Sequence, residues 1–116
     1  MIIEIIGTMS HPTGLLHAIR ISEWSQDILF LFHAMDRMKK WEITDRMVIE
    51  TLLLPEEVLL GHGGRFIAHR RYGDDVVRAV YEYQDRLPVL ITVYFPYTDR
   101  YFKGGGNFEN KIFKGS

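Results

Sequence analysis

"RFIAHRRYGDDVVRAVYEYQDRLPVLITVYF", Arg65 to Phe95, decides the fold. Arg65 to Tyr72, Val76 to Tyr83 and Val89 to Phe95 are rich in β-branched and aromatic residues, the side chains that suit a pleated, half-buried surface. Gly73-Asp74-Asp75 separates the first two runs, and Gln84 to Pro88 separates the last two. Connections this short join only antiparallel neighbours, so the stretch predicts a three-stranded meander. In its last strand Val89, Ile91, Val93 and Phe95 alternate with Leu90, Thr92 and Tyr94, which points one face at a core and leaves the other mixed.

Working back from the meander, Val58-Leu59-Leu60 ends at Gly61-His62-Gly63-Gly64 and supplies a fourth strand with its turn. Before it the period becomes helical. Ala34, Met35 and Met38 gather on one side, while Asp36, Lys39 and Lys40 fall mostly on the other. Thr44 is placed to cap a second helix whose stripe is Met47, Val48, Thr51, Leu52 and Leu54, and Pro55 stops it. Residues 1–31 read less clearly. Met1 to Gly7 is a short strand, Met9 to Gly14 a connector, and Leu15 to Ile21 fits strand or helix; Ser22 to Asp27 is a polar lead into the apolar run Ile28 to Phe32.

The expected architecture is therefore α+β: two N-terminal helices packed on an antiparallel sheet of about four strands, preceded by an extra strand or extended segment. Residues 1–116 form one domain, with an N-terminal extension over 1–31, a core over 32–101 and a Gly104-Gly105-Gly106 tail over 102–116. A hydrophobic share of 47% and a charged share of 25% are those of a folding chain, not a disordered one. Net charge is -1, so any nucleic-acid role needs a local basic patch rather than bulk attraction. With no cysteine, disulfides and thiolate metal sites are excluded. The opening isoleucines are too short a run, and carry a glutamate too early, for a signal peptide or membrane span; a cytoplasmic protein that does not enter a membrane is expected.

No phosphate-binding glycine loop, dinucleotide fingerprint or zinc-protease helix is present. The five histidines, His11, His17, His33, His62 and His69, show no ligand spacing, so neither a metal nor a cofactor is expected; His11, His17 and His62 read as loop residues. His33 stands one helical turn before Arg37, which puts an imidazole that can move a proton beside a guanidinium that can hold a phosphate. The same spacing also fits a packing histidine with Arg37 bonded to a carboxylate. In the meander, alternation puts His69 and Arg71 on one face and Ala68, Arg70 and Tyr72 on the other. Arg78, Thr92 and Tyr94 on the neighbouring strands can join His69 and Arg71 if the helices cover the opposite face. Such a set suits ribonuclease chemistry, with a base for a 2′-hydroxyl, cations for the transition state and aromatics for unpaired bases. A solvated face decorated with arginines fits the same pattern.

The order His-Ala-x-x-Arg-Met-x-x-x-x-Ile-Thr from His33 to Thr44, a leucine-rich helix ending at Pro55, Gly64 to Gly73, Val77-Arg78-Ala79-Val80-Tyr81 and Val89 to Tyr94 resembles a domain-of-unknown-function family of small prokaryotic proteins. That family is similar to BrnT toxins and is grouped with the RelE-like and barnase-like ribonuclease toxins; the resemblance covers about Phe32 to Tyr101. It implies the two-helix, four-strand fold, a toxin-type metal-independent endoribonuclease acting on RNA, and an antitoxin protein as partner. Carried over by the match are His33, Arg37, Arg78 and Thr92; His69 and Arg71 come from the face pattern. The expected catalytic set is thus His33, Arg37, His69 and Arg78, with Arg71, Thr92, Tyr94 and Arg100 for RNA. The alternative is a non-catalytic module that binds a partner protein or nucleic acid on the same face. Exposed sheet edges would also allow a homodimer.

Overall fold

The computed structural model describes residues 2–96 and 112–113. Three strands, β1 (Ile3–His11), β2 (Gly14–Ile21) and β3 (Trp24–Leu31), come first; then α1 (Phe32–Trp41) and α2 (Asp45–Leu53); then β4 (Glu57–Leu60), β5 (Phe66–Tyr72), β6 (Asp75–Gln84) and β7 (Leu87–Tyr94). A single 3-10 turn, His62–Gly64, links β4 to β5. All seven strands form one sheet in the order β1-β2-β3-β7-β6-β5-β4. Neighbours are antiparallel except β3 and β7, which run parallel with Leu29 opposite Val89 and Phe30 opposite Leu90.

The expected two helices on a four-stranded antiparallel sheet are therefore corrected: the sheet is mixed, has seven strands, and the helices lie between its two meanders rather than at the N-terminus. Residues 3–31 are not an extension but the other half of the sheet. Two tight turns make it so. At the first, Gly14 lies so close to β3 that a Cβ would fall 1.9 Å from the Phe30 carbonyl oxygen, an approach open only to glycine. At the second, Ser22 takes the left-handed conformation at φ 53, without the Asn-Gly or Asp-Gly dipeptide that usually announces such a turn.

The helices begin and end for local reasons. The α1 backbone leaves β3 directly, and the Phe32 N–H donates to the Thr13 carbonyl at 3.1 Å. Glu42 ends the helix in the left-handed conformation, after which the Ile43 N–H turns back to the Met38 carbonyl at 2.8 Å and the Ile43 side chain enters the core. The Thr44 hydroxyl accepts the Met47 N–H at 3.1 Å and caps α2, as its position predicts. Burial of Val48, Ile49, Leu52 and Leu53 holds α2 down, each side chain contributing about 1.5–3 kcal/mol of transfer free energy.

The core lies between the helices and one face of the sheet. It joins Ala34 and Met38 of α1 and the α2 stripe to Ile19, Ile21, Ile28, Phe30, Val58, Ala68, Val77, Ala79, Tyr81, Leu90 and Val93. Strict alternation along β7 does not hold. A register shift at Val80/Tyr81 pairs Val80 with Thr92 and Tyr81 with Leu90, so Ile91 is skipped, and Leu90 and Val93 both reach the core. Burial pushes the Tyr81 hydroxyl well above the usual phenol range, with Tyr83 adding to the shift. Phe113 packs on Trp24 with ring centroids 5.0 Å apart. Apart from Ile112 and Phe113, the 102–116 tail lies outside the described residues, as does Arg100. Among the described residues no helix is long and apolar enough to cross a membrane.

Candidate functional site

The face of β4–β7 turned away from the helices carries one transverse row of polar side chains. Strand register builds it: Glu57 stands opposite His69, His69 opposite Arg78, and Arg78 opposite Tyr94. Ala68, Val58, Ala79 and Val93, one position along in each strand, form the neighbouring row and belong to the core. Period-2 alternation therefore puts the polar row on the opposite face.

The row is bonded across strands. His69 Nδ1 lies 2.7 Å from Glu57 Oε2, and His69 Nε2 lies 3.0 Å from Arg78 Nη1. Its β4–β5 end is closed, with Glu57 1% and His69 0% exposed; Arg78 is half-buried, and Tyr94, 39% exposed, meets solvent. The expected open β layer is thus open only toward β7. Beside Arg78 on this face, opposite Val80, is Thr92. It is 8% exposed, and its Oγ1 is buried with no hydrogen-bond partner among the described residues. An unsatisfied buried hydroxyl costs about 1–3 kcal/mol, a cost that the folded chain carries at this atom.

Arg71 is on the same face but engaged. Its backbone N–H and guanidinium both donate to Glu56, the shortest contacts being 2.7 Å. The hydrogen bond from Arg71 holds the Glu56 carboxyl below the usual carboxylate range, and Glu56 raises Arg71 in turn. On the helix face, Arg70 donates to the Leu54 carbonyl at 2.6 Å and the Tyr72 hydroxyl donates to Glu50 at 2.9 Å; burial and that acceptor push the Tyr72 hydroxyl up to about 12.

His33 and Arg37 stand on α1, His33 exposed and Arg37 half-buried, in the helical layer rather than on the face of His69 and Arg78. Position along the strands, not contact, relates the two pairs. β3 gives way to α1 level with the middle of β7, whose chain runs on to Thr92 and Tyr94, and α1 packs on β7 more than on any other element. The structure therefore does not bring His33 and Arg37 together with His69 and Arg78: α1 packs on the core face of β7, and the row lies on the opposite face.

Sequence reasoning missed Glu57. The strand signal there begins at Val58, and a carboxylate two residues after Pro55 looks like part of a turn; only the β4–β5 register places it against His69. His17 was misplaced as a loop residue. It sits in β2 on the core face, its ring 4.4 Å from that of Phe30 and its Nδ1 without a hydrogen-bond partner among the described residues; burial lowers its pKa, and Asp45 partly offsets that. His11 ends β1, where its Nδ1 accepts the Thr13 N–H at 3.2 Å, and His62 lies in the 3-10 turn.

Comparison with curated proteins and with solved structures gives no match. A family model described as a domain of unknown function, DUF4258, matches residues 30–95. The match runs from the end of β3 through both helices and the second meander, and leaves β1 and β2 outside. It agrees with the expected family of unknown function and brings no toxin family with it. Covering more than half of the chain and every residue of the Glu57–His69–Arg78–Tyr94 row, it shows that the chain belongs to the DUF4258 family.

Proposed function

We propose that this protein is a toxin-type endoribonuclease that cleaves RNA without a metal, with Arg78 as the cation at the scissile phosphate. The observation that carries this reading is the Glu57–His69–Arg78 chain, which holds a guanidinium at the open end of an otherwise closed row, beside the unpartnered Thr92 hydroxyl and the exposed Tyr94. The 2′-hydroxyl of the substrate is the nucleophile: the 2′-O–P bond forms, the 5′-O–P bond breaks, and the products are a 2′,3′-cyclic phosphate and a 5′-hydroxyl. Solvent water takes the 2′-hydroxyl proton and returns a proton to the departing 5′-oxygen, because His33 stands on α1, across the sheet from Arg78. Arg78 stabilises the charge that builds on the non-bridging oxygens. Tyr94, which meets solvent, stacks on a base. His69 supports Arg78 rather than moving the proton, because both of its nitrogens are engaged.

The resemblance of His33–Thr44, Gly64–Gly73, Val77–Tyr81 and Val89–Tyr94 to an unknown-function family similar to ribonuclease toxins supports the same reading and brings an antitoxin as partner. Strand β1 lies at the sheet edge with Ile5, Ile6 and Met9 exposed, which suits strand addition by such a protein. One observation favours a second reading, a non-catalytic binding module: the only histidine in the row is buried. Induced expression separates the two. Growth arrest with transcript decay from the wild type, lost in Arg78→Ala, supports the enzyme; arrest shared by both chains, or shown by neither, removes the role assigned to Arg78.

A further inference from the structure

Resting on the reading of Arg78 as the cation of the site, we propose that Glu57 and His69 are positioning residues: the buried carboxylate fixes the imidazole with its proton on Nδ1, and the bare Nε2 aims the Arg78 guanidinium. Donor and acceptor inventory requires this assignment. A guanidinium has five N–H donors and no acceptor, so His69 Nε2, 3.0 Å from Arg78 Nη1, must accept. A neutral imidazole then carries its proton on Nδ1, 2.7 Å from Glu57 Oε2, which accepts it. The opposite tautomer would set N–H against N–H at Arg78 and lone pair against carboxylate at Glu57. An imidazolium would keep the Glu57 bond but lose the Arg78 one.

Burial makes the choice binding. With Glu57 1% and His69 0% exposed, little water can replace a lost partner. The backbone fixes the geometry, because the three residues are direct cross-strand partners on consecutive strands, spaced about 4.8 Å apart by the ladder. The imidazole thus joins a buried carboxylate to a half-buried guanidinium, and the opposite charges at its two ends balance. A guanidinium aimed before the substrate arrives has less freedom to lose when a phosphate binds, and a transition state gains most from donors that need no rearrangement.

Side-chain 15N NMR of the full chain tests the tautomer directly. Expected at neutral pH is a neutral His69 with its proton on Nδ1; a proton on Nε2, or an imidazolium, overturns the proposal. The wild-type measurement decides this even if variants fold poorly. Glu57→Gln then tests the anchoring, since an amide can either accept from Nδ1 or donate to it. The expected result is a mixture of His69 tautomers and a more mobile Arg78 guanidinium in 15N relaxation; unchanged Arg78 order overturns the positioning role. In cleavage assays on the same samples, kcat should fall roughly tenfold or more while KM changes little. If the NMR results hold and the wild type cleaves no RNA, the anchoring stands and the ribonuclease reading fails.

Discussion

Thr92 and Thr51 are both buried threonines, and the same substitution should move stability in opposite directions at the two sites. Thr51 Oγ1 donates to the Met47 carbonyl at 2.8 Å, inside α2. Thr51→Val deletes that bond and should destabilise the fold by about 0.5–1.5 kcal/mol. Thr92 Oγ1 has no partner among the described residues, so Thr92→Val removes an unsatisfied hydroxyl and adds a buried methyl. The first change recovers about 1–3 kcal/mol and the second up to about 0.8 kcal/mol, so a gain of about 1–3 kcal/mol is expected after imperfect packing. For a domain of this size that is a rise in Tm of roughly 3–12 °C. Urea denaturation followed by circular dichroism, with m unchanged, measures both variants. A destabilised Thr92→Val would refute the reasoning, because it would mean that the hydroxyl already has a partner in the folded chain.

Two further outcomes follow from the packing. Gly14→Ala places a Cβ 1.9 Å from the Phe30 carbonyl oxygen and 2.9 Å from Leu31 Cα, backbone atoms that cannot swing aside; the variant should lose several kcal/mol or fail to fold, read as a collapse of the thermal transition. His17 is held neutral by burial, its folded pKa below the unfolded value of 6.5 despite the opposing influence of Asp45. Below that pH the unfolded chain binds a proton that the folded chain refuses. Its contribution to stability is therefore complete above about pH 6.5 and is lost as pH falls toward the folded value, with a slope of at most about 1.4 kcal/mol per pH unit. His17→Leu should flatten that acid limb in denaturation curves taken at successive pH values, and an unchanged limb would assign it to other groups.

The second meander was legible in the sequence because its turns carry Gly73 and the Asp85-Arg86 pair between β-branched runs, and α2 because Thr44 and Pro55 bracket its stripe. The first meander was not. Leu15 to Ile21 has apolar residues at both helical and strand spacings, and Ser22-Glu23 gives no sign that a serine will adopt positive φ. The parallel pairing of β3 with β7 joins residues sixty positions apart, and no local pattern reports it. Of the expected site, the meeting of His69 with Arg78 follows from alternation once β5 and β6 are paired. Its anchor, Glu57, does not, because register rather than residue type brings it to His69. His33 resembles its expected partners only in chemistry; the helix that carries it packs on the other face of the sheet.

Cleavage of a defined single-stranded RNA by the purified chain in the presence of a chelator tests the central claim most directly. The account predicts fragments ending in 2′,3′-cyclic phosphate from the wild type, and a loss of at least about 100-fold in rate for a folded Arg78→Ala chain. Intact RNA after long incubation with the wild type, or equal cleavage by Arg78→Ala, would contradict it.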